Sequence, residues 1–188
     1  SHAVTKGLNP GAPMKDSGVE WLGEVPEHWE VRRLKHIISA SGGSTPSMER
    51  SDYWDGDIPW VTPKDMKNIR IDDSETHISE TALSEVGLQM VPSGSVLLVV
   101  RGMILAHSVP VAINETPVTI NQDMKALVTS KHLKSDFLLH LLQGIKDIIF
   151  EHIDASAHGT RKLSWSSFTH MLVAIPPQKE QERIVEYI

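Results

Sequence analysis

Hydrophobic positions along the chain follow two spacings, one typical of helices and one typical of buried strands. From Leu133 to about His152, apolar side chains recur at helical intervals and predict a long amphipathic helix. The run from Ser95 to Val100 is short, continuous and apolar. It predicts a buried strand, because it is far shorter than the run of about 20 apolar residues that a membrane-spanning helix needs. These two patterns predict a mixed α and β protein.

Weaker patterns predict further elements between and after these two. Residues 30–39 alternate in a way that fits either a strand or a short helix, and residues 109–128 are rich in β-formers around turns at Asn114 and Asn121. Ser79 is a candidate N-cap for a helix that Gly87 weakens or ends. The remaining predictions are a strand at 57–62, a short helix at 165–171, a strand at 172–175 and a polar helix from about Pro177.

Length and composition restrict the class of protein. A chain of 188 residues with 40% hydrophobic and 22% charged residues can fold as one compact domain. The absence of cysteine excludes disulfides and cysteine-ligated metal sites, and it suits a cytoplasmic protein. Residues 1–15, rich in glycine, proline and polar side chains, are predicted to form a flexible arm.

The distribution of charge is uneven. The formal net charge is −6, which argues against a protein that coats nucleic acid without specificity. Five acids and no lysine or arginine lie between Asp72 and Glu85. By contrast, the loop sequence SAHGTRKLSWSSF at residues 156–168 carries His158, Arg161 and Lys162 and no acid. Such a loop is either a solvated turn or a local basic surface that contacts phosphate or a base edge.

Six motifs, in order from Asp16 to Ile188, resemble the specificity subunits of Type I restriction–modification systems. They are DSGVEWLGEVPEHWEVRRLK, GGSTPS followed by YWDGDIPWVTPKDM, VPSGSVLLVVRG, TINQDMKAL, GTRKLSWSSF and IPPQKEQERIVEYI. No single motif is diagnostic, but six in the same order cover nearly the whole chain. The resemblance identifies the chain as one target-recognition domain of such a subunit.

The resemblance implies an α+β fold and a division of labour with other proteins. It implies a DNA target-recognition domain at residues 16–175 and the start of a spacer helix at 176–188, truncated by the chain end, so that a fragment is favoured over a natural half-subunit. The domain would read one half of a bipartite site in double-stranded DNA. Methyltransferase subunits, and indirectly the restriction subunit, would carry the adenine methylation and endonuclease activities with their S-adenosylmethionine, Mg²⁺ and ATP.

Candidate DNA-binding residues come from several separate turns. Arginine and lysine suit guanine edges and phosphate, and asparagine and glutamine suit adenine. The candidates are Gly43, Ser44, Thr45, Ser47, Lys64, Arg101, Asn121, Gln122, His158, Gly159, Thr160, Arg161 and Lys162. Several have an ordinary alternative: an Asp154 or Asp147 ion pair for Arg161, pairing with the acidic helix for Arg101, an Asx turn for Asn121-Gln122, and a strand-capping turn for residues 42–47.

The C-terminal helix supplies the candidates for partner docking. They are Gln178, Gln181, Ile184, Val185 and Ile188, of which the three apolar residues would form a narrow seam as at the start of a coiled coil. A docking module without a working DNA site is therefore the alternative function.

Catalytic and metal-binding signals are weak in the sequence. Asp52, Asp55 and Asp57 lack the spacing of a calcium loop, which leaves a metal-dependent hydrolase the least favoured function. The ten histidines form no zinc motif. We therefore expect no metal, no cofactor and no catalysis in this chain.

Overall fold

The structure, a computed structural model, describes residues 2–155 and 159–188. Its strands are β1 (Met14–Asp16), β2 (Glu24–Pro26), β3 (Glu30–Arg33), β4 (Ile38–Gly42), β5 (Ile58–Val61), β6 (Arg70–Ile71), β7 (His77–Ile78), β8 (Val96–Val99), β9 (Val111–Asn114), β10 (Thr119–Ile120), β11 (Met124–Thr129), β12 (Ile153–Ala155), β13 (Arg161–Leu163) and β14 (Leu172–Ile175). Its α-helices are α1 (Ala3–Lys6), α2 (Glu80–Val86), α3 (Ser135–Gly144), α4 (Lys146–Phe150), α5 (Trp165–His170) and α6 (Gln178–Tyr187). Short 3-10 helices occupy Leu34–His36, Ser51–Tyr53, Pro63–Asp65 and Met103–Ala106. The predicted α+β class is confirmed.

The chain divides into two compact units that it enters and leaves more than once. Unit 1 comprises Ser1–Ser39, Thr129–Asp154 and Leu163–Ile188, and unit 2 comprises Ala40–Val128 and Ala155–Lys162. Each unit is therefore assembled from segments that are distant in sequence.

Unit 1 is built mainly from helices. Helix α3 packs against α6 and α1, and the antiparallel pair β3–β14 and the antiparallel hairpin β1–β2 complete it. The amphipathic pattern at 133–152 is confirmed as helical, with its apolar side chains buried except for half-buried Ile148 and Phe150. However, the predicted single helix is interrupted at Ile145 (φ −106°, ψ 19°), directly after Gly144, a poor helix former.

The predicted loose arm at residues 1–15 differs from the structure. Residues 3–6 form α1, in which Ala3 and Val4 are buried. Lys6 Nζ donates to the carbonyls of Leu22, at 2.6 Å, and Glu24. The apolar pair was too short to reveal helical periodicity, so its burial could not be read from the pattern.

Unit 2 is built mainly from strands. One sheet has the order β4-β11-β8-β9-β6, with β8 antiparallel to β11 and β9, and β6 parallel to β9. A smaller sheet has the order β10-β5-β7, in which β10 is parallel and β7 antiparallel to β5. All four residues of β8 are buried, as the apolar run at 95–100 predicts. Strands β12 and β13 form a further two-stranded sheet.

Local caps set the ends of several elements in unit 2. Ser79 Oγ accepts from the Ala82 N–H at 3.2 Å and begins α2, and Gly87 ends it at φ +72°, a conformation that glycine adopts readily. Both predictions for this helix are confirmed. Asn114, a predicted turn residue, is instead the buried last residue of β9, where its amide donates to the carbonyls of Pro92 and Thr116 at 2.9 and 2.8 Å. Such a polar side chain is tolerated in the core because it is hydrogen-bonded.

Candidate nucleic-acid interface

The candidate DNA-binding residues that the structure describes all belong to unit 2. They come from five separate segments of the sequence, at 43–47, Lys64, Arg101, 121–122 and 159–162. His158 lies outside the described residues. The candidates for partner docking, at 178–188, all belong to unit 1. Chain topology thus separates the two predicted surfaces into different units.

The glycine–threonine–proline turn is joined to the Asn121-Gln122 turn. The Thr45 hydroxyl donates to Gln122 Oε1, and both side chains are exposed. The Trp60 indole N–H donates to the Ser44 carbonyl at 3.1 Å and holds this turn against the unit. These contacts fix the Gln122 amide in a definite orientation at the surface.

Gly43 has a structural role in this turn. A Cβ at this position would lie 1.8 Å from the carbonyl oxygen of Ile120, so only glycine fits between the two backbones. The sequence analysis named Gly43 as a candidate for contact with DNA. In the structure, the close approach of β10 accounts for a glycine at this position.

Asn121 adopts the Asx turn that was the alternative to base contact. Its Oδ1 accepts from the Asp123 N–H at 3.0 Å, and the residue is only 6% exposed. The neighbouring Gln122 is exposed. Burial therefore removes Asn121 from the accessible set and leaves Gln122 as the amide that a ligand can reach.

The same turn is tied to the two basic segments through the backbone. The Asp123 carbonyl accepts from the N–H groups of Val100, at 2.8 Å, and Arg101, at 3.3 Å. Arg101 in turn forms an antiparallel bridge with Lys162, and the Gly102 N–H donates to the Arg161 carbonyl at 3.0 Å. A continuous series of contacts therefore connects residues 45, 122, 101 and 162.

Three cations of this connected set form no ion pair with any residue that the structure describes. They are Arg101, Arg161 and Lys162. The alternatives for Arg161, an ion pair with Asp154 or Asp147, and for Arg101, pairing with the acidic helix, are not seen within this range. Lys162 and Arg101 are exposed, and Arg161 is half-buried. Cations in this state can bind an external anion without first breaking an internal pair.

Lys64 has different surroundings from these three cations. It lies on the 3-10 helix Pro63–Asp65 and lines a cavity of about 300 Å³ together with Asp65, Asp73 and Glu75. Nearby carboxylates make this side chain a poorer phosphate ligand than Arg101 or Lys162.

Lys125 is a residue of this surface that the sequence analysis missed. Its ammonium group reaches across from β11 to Gly42 on β4, 3.2 Å from the position that a Cβ would take. Within the alternating pattern of β11 it looks like an ordinary strand residue. Only the pairing of β11 with β4 brings it to the glycine-rich turn.

Ser47, Gly159 and Thr160 complete the candidate set. The Ser47 carbonyl accepts from the Trp54 indole N–H at 3.0 Å, and its hydroxyl accepts from the Glu49 N–H at 3.3 Å. Gly159 adopts φ +81°, a conformation that favours glycine, and both it and Thr160 are exposed. Ser47 therefore helps to fold its own turn, whereas the other two are accessible.

The three aspartates at 52, 55 and 57 are the candidate ligands of the least favoured function, a metal-dependent hydrolase. No group of three or more potential metal ligands occurs among residues 2–155 and 159–188. Asp52 accepts two hydrogen bonds from the Arg50 guanidinium at 2.7 and 2.8 Å, and these bonds lower the pKa of its carboxyl. Tyr53 donates to Glu85 Oε2 at 2.6 Å, which raises the pKa of the phenol, and Arg50 lies 4.2 Å above its ring. Arg50, Asp52, Tyr53 and Glu85 therefore form a structural network of ion pairs and hydrogen bonds.

The aromatic residues next to these aspartates belong to the core. Tyr53 and Trp60 are buried, and Trp54 meets Trp60 edge to face at a centroid distance of 5.0 Å. Tyr53 and Trp60 are therefore not accessible for base stacking.

Three of the five predicted docking residues make contacts within their own unit, although Gln178 is exposed. Gln181 and Ile184 are fully buried, and the Gln178 amide donates to the Lys131 carbonyl. Helical periodicity alone could not reveal this, because a seam against α3 and a seam against a partner have the same spacing. Half-buried Val185 and half-exposed Ile188 remain accessible, as does Tyr187 at 71% exposure.

Comparison with solved structures defines the class of fold. The chain matches the HsdS subunit from Thermoanaerobacter tengcongensis with a TM-score of 0.62 at 18% identity, over 93% of this chain and 38% of that one. A chain from a structure on complex assembly and conformational transition of the type I R-M system matches with a TM-score of 0.65 at 20% identity, over 93% and 40%. The fold of this chain therefore matches that of a part of each of these two chains. No helix in the described residues is long and apolar enough to cross a membrane.

Sequence comparison then gives the family. Residues 26–188 match the model of the Type I restriction modification DNA specificity domain, and the chain belongs to this family. It is 33% identical over 168 residues to the MjaIX specificity subunit of Methanocaldococcus jannaschii and 30% identical over 177 residues to the EcoR124I/EcoR124II specificity subunit of Escherichia coli. The two matches cover 87% and 93% of this chain but only 38% and 41% of the length of the two relatives.

Proposed function

We propose that unit 2 reads one half of a bipartite DNA target site. The observation that supports this most directly is the contact series from Thr45 through Gln122 and Asp123 to Arg101 and Lys162. It brings together the accessible residues of four separate turns, and membership of the specificity-domain family agrees with it.

Each accessible side chain has a defined chemical task in this proposal. Arg101, Arg161 and Lys162 bind phosphates or guanine edges. Gln122 pairs with adenine by donating from Nε2 to N7 and accepting at Oε1 from the N6 amino group. The bond from Thr45 uses one lone pair of Oε1 and leaves the second for this contact. A wrong base pair at such a position costs about 1–3 kcal/mol.

Affinity for one half-site is expected to be modest. The formal net charge of −6 opposes the approach of a polyanion, and one half-site offers few contacts. The three cations therefore account for much of the binding and for its dependence on salt. Nanomolar binding of isolated chain at physiological salt would contradict this expectation.

The test is the double variant Arg161→Ala/Lys162→Ala, measured by titration with duplex DNA at several salt concentrations. Because each phosphate contact contributes about 0.9 to the slope of log K against log salt, loss of two contacts should reduce that slope by up to about 2. The control is Lys131→Ala/Lys146→Ala, which makes the same charge change at two exposed lysines of unit 1. Binding curves identical to wild type at all salt concentrations would remove this loop from the interface.

In the same proposal, unit 1 docks methyltransferase subunits and through them the restriction subunit. Support comes from the relatives, which are named as specificity subunits of Type I restriction enzymes. Adenine methylation with S-adenosylmethionine, and the use of Mg²⁺ and ATP, are then tasks of those partners in the cytoplasm. The chain itself serves as a specificity module without its own catalysis or cofactor.

A further inference from the structure

An adjacent pair of exposed apolar side chains lies directly beside the connected cations. Met103 is 66% exposed and Ile104 is 42% exposed, on the 3-10 helix that follows Arg101-Gly102. In the described part of unit 2, the other large hydrophobic residues of comparable exposure, such as Met48 and Met90, occur singly. Isolated exposed hydrophobic residues are common, whereas an adjacent pair calls for a reason.

The backbone that carries this pair is held in place on both sides. The Gly102 N–H donates to the Arg161 carbonyl at 3.0 Å, and the His107 N–H donates to the Ile104 carbonyl at 3.0 Å. The next residue, Leu105, is 1% exposed and anchors the short helix in the core. Gly102 adopts φ +133°, which favours glycine. The fold therefore presents both side chains to solvent on an anchored turn, although their exposure costs hydrophobic free energy.

The neighbouring charges indicate what covers the pair. Arg101 precedes it, and the Arg101–Lys162 bridge places a second cationic residue alongside. Neither cation forms an ion pair within residues 2–155 and 159–188. The covering surface must therefore combine negative charge with apolar area. A DNA duplex does so in its major groove, where the thymine C5-methyl is the apolar group on the base edges.

We propose that Met103 and Ile104 contact the C5-methyl group of a thymine while Arg101 and Lys162 bind the flanking phosphates. This inference rests on the proposed function of unit 2 and adds a specificity-determining contact to it. It assigns selection of a T·A pair to two apolar side chains that carry no hydrogen-bond donor.

The test uses the 188-residue chain and a pool of duplexes with a randomised window, at low salt. The sequence that wild type enriches is then resynthesised with deoxyuridine in place of each thymine in turn, which removes only the C5-methyl. We expect one or two replacements to weaken wild-type binding about 3- to 10-fold. The variants Met103→Ser and Ile104→Ser should bind the original duplex more weakly and be insensitive to those same replacements.

The controls are Met48→Ser and Met90→Ser, at comparably exposed methionines of unit 2. They should keep both the wild-type affinity and the response to deoxyuridine. If wild type enriches a sequence but responds to no replacement, or if Met103→Ser and Ile104→Ser respond as wild type does, the thymine contact is wrong and DNA reading stands. If both variants bind all duplexes more weakly by the same factor, insertion of the two side chains between base pairs replaces the thymine contact as the explanation. If wild type enriches no sequence, the proposed function fails first.

Discussion

Replacing Gln181 with alanine should destabilise unit 1 strongly, although the sequence pattern suggests a surface residue. Its Oε1 accepts from the Lys134 N–H at 2.8 Å, and its Nε2 donates to the carbonyls of His132 and Pro176, both at 2.9 Å. The side chain is fully buried. It therefore ties the first turn of α6 to the residues that lead into α3.

The size of the effect follows from the groups left without partners. Alanine removes the partner of one backbone N–H and of two carbonyls, and each buried group left unsatisfied costs about 1–3 kcal/mol. Relaxation and entry of water reduce the sum, so we expect a loss of about 2–4 kcal/mol in the free energy of unfolding. Gln181→Glu should cost at least as much at neutral pH, because it keeps the acceptor, loses both donors and buries a charge.

Urea denaturation followed by circular dichroism measures the loss. The matched control is Gln178→Ala, which removes one exposed hydrogen bond to Lys131 from the same helix and should cost less than about 1 kcal/mol. If Gln181→Ala loses no more stability than Gln178→Ala, Gln181 does not join the helices, and a docking role becomes the better explanation. If Gln181→Ala loses more stability than Gln178→Ala, residues 177–188 are needed for folding. A variant that lacks them must then be shown to fold before any loss of docking is interpreted.

Two further substitutions test a packing contact and the accessible end of α6. Gly43→Ala should lower the free energy of unfolding by more than about 2 kcal/mol, because the new Cβ would meet the Ile120 carbonyl. Gly94→Ala should lower it by about 1 kcal/mol, because that position has open space but a φ of +81°. Equal losses in urea denaturation would refute the role assigned to Gly43. Tyr187→Ser/Ile188→Ser should reduce capture of the methyltransferase subunit without changing the unfolding midpoint, because both side chains are exposed; undiminished capture would exclude this end of α6 from the docking surface.

The elements that sequence reasoning predicted correctly are those with a local physical cause. Helix α2 begins and ends where Ser79 and Gly87 require it, since both caps act within a few residues. Strand β8 is short, apolar and buried on both faces, as its composition predicts. In these places the residues that determine the structure lie within or next to the element, so residues distant in sequence do not change it.

The wrong or unresolved predictions depend on partners that are remote in sequence. Gly43 is explained by the carbonyl of Ile120, and Gln181 by backbone groups at 132, 134 and 176. A glycine that admits DNA and a glycine that admits a strand look the same in a sequence, as do a glutamine for docking and one for the core. The ambiguity is resolved only when the topology supplies the neighbour.

The acidic total is compatible with the cationic surface because several acids of unit 2 are engaged by other side chains. Within the acidic run, Glu75 forms an ion pair with Lys67 at 3.1 Å and Glu85 with Arg50 at 3.3 Å, and Asp73 shares a hydrogen bond with His77 at 2.6 Å. Each of these acids is engaged by a side chain other than Arg101, Arg161 or Lys162. Net charge counts all groups equally, whereas a polyanion responds to the cations left without an internal pair. The −6 charge therefore slows non-specific association while the three cations remain available for one site.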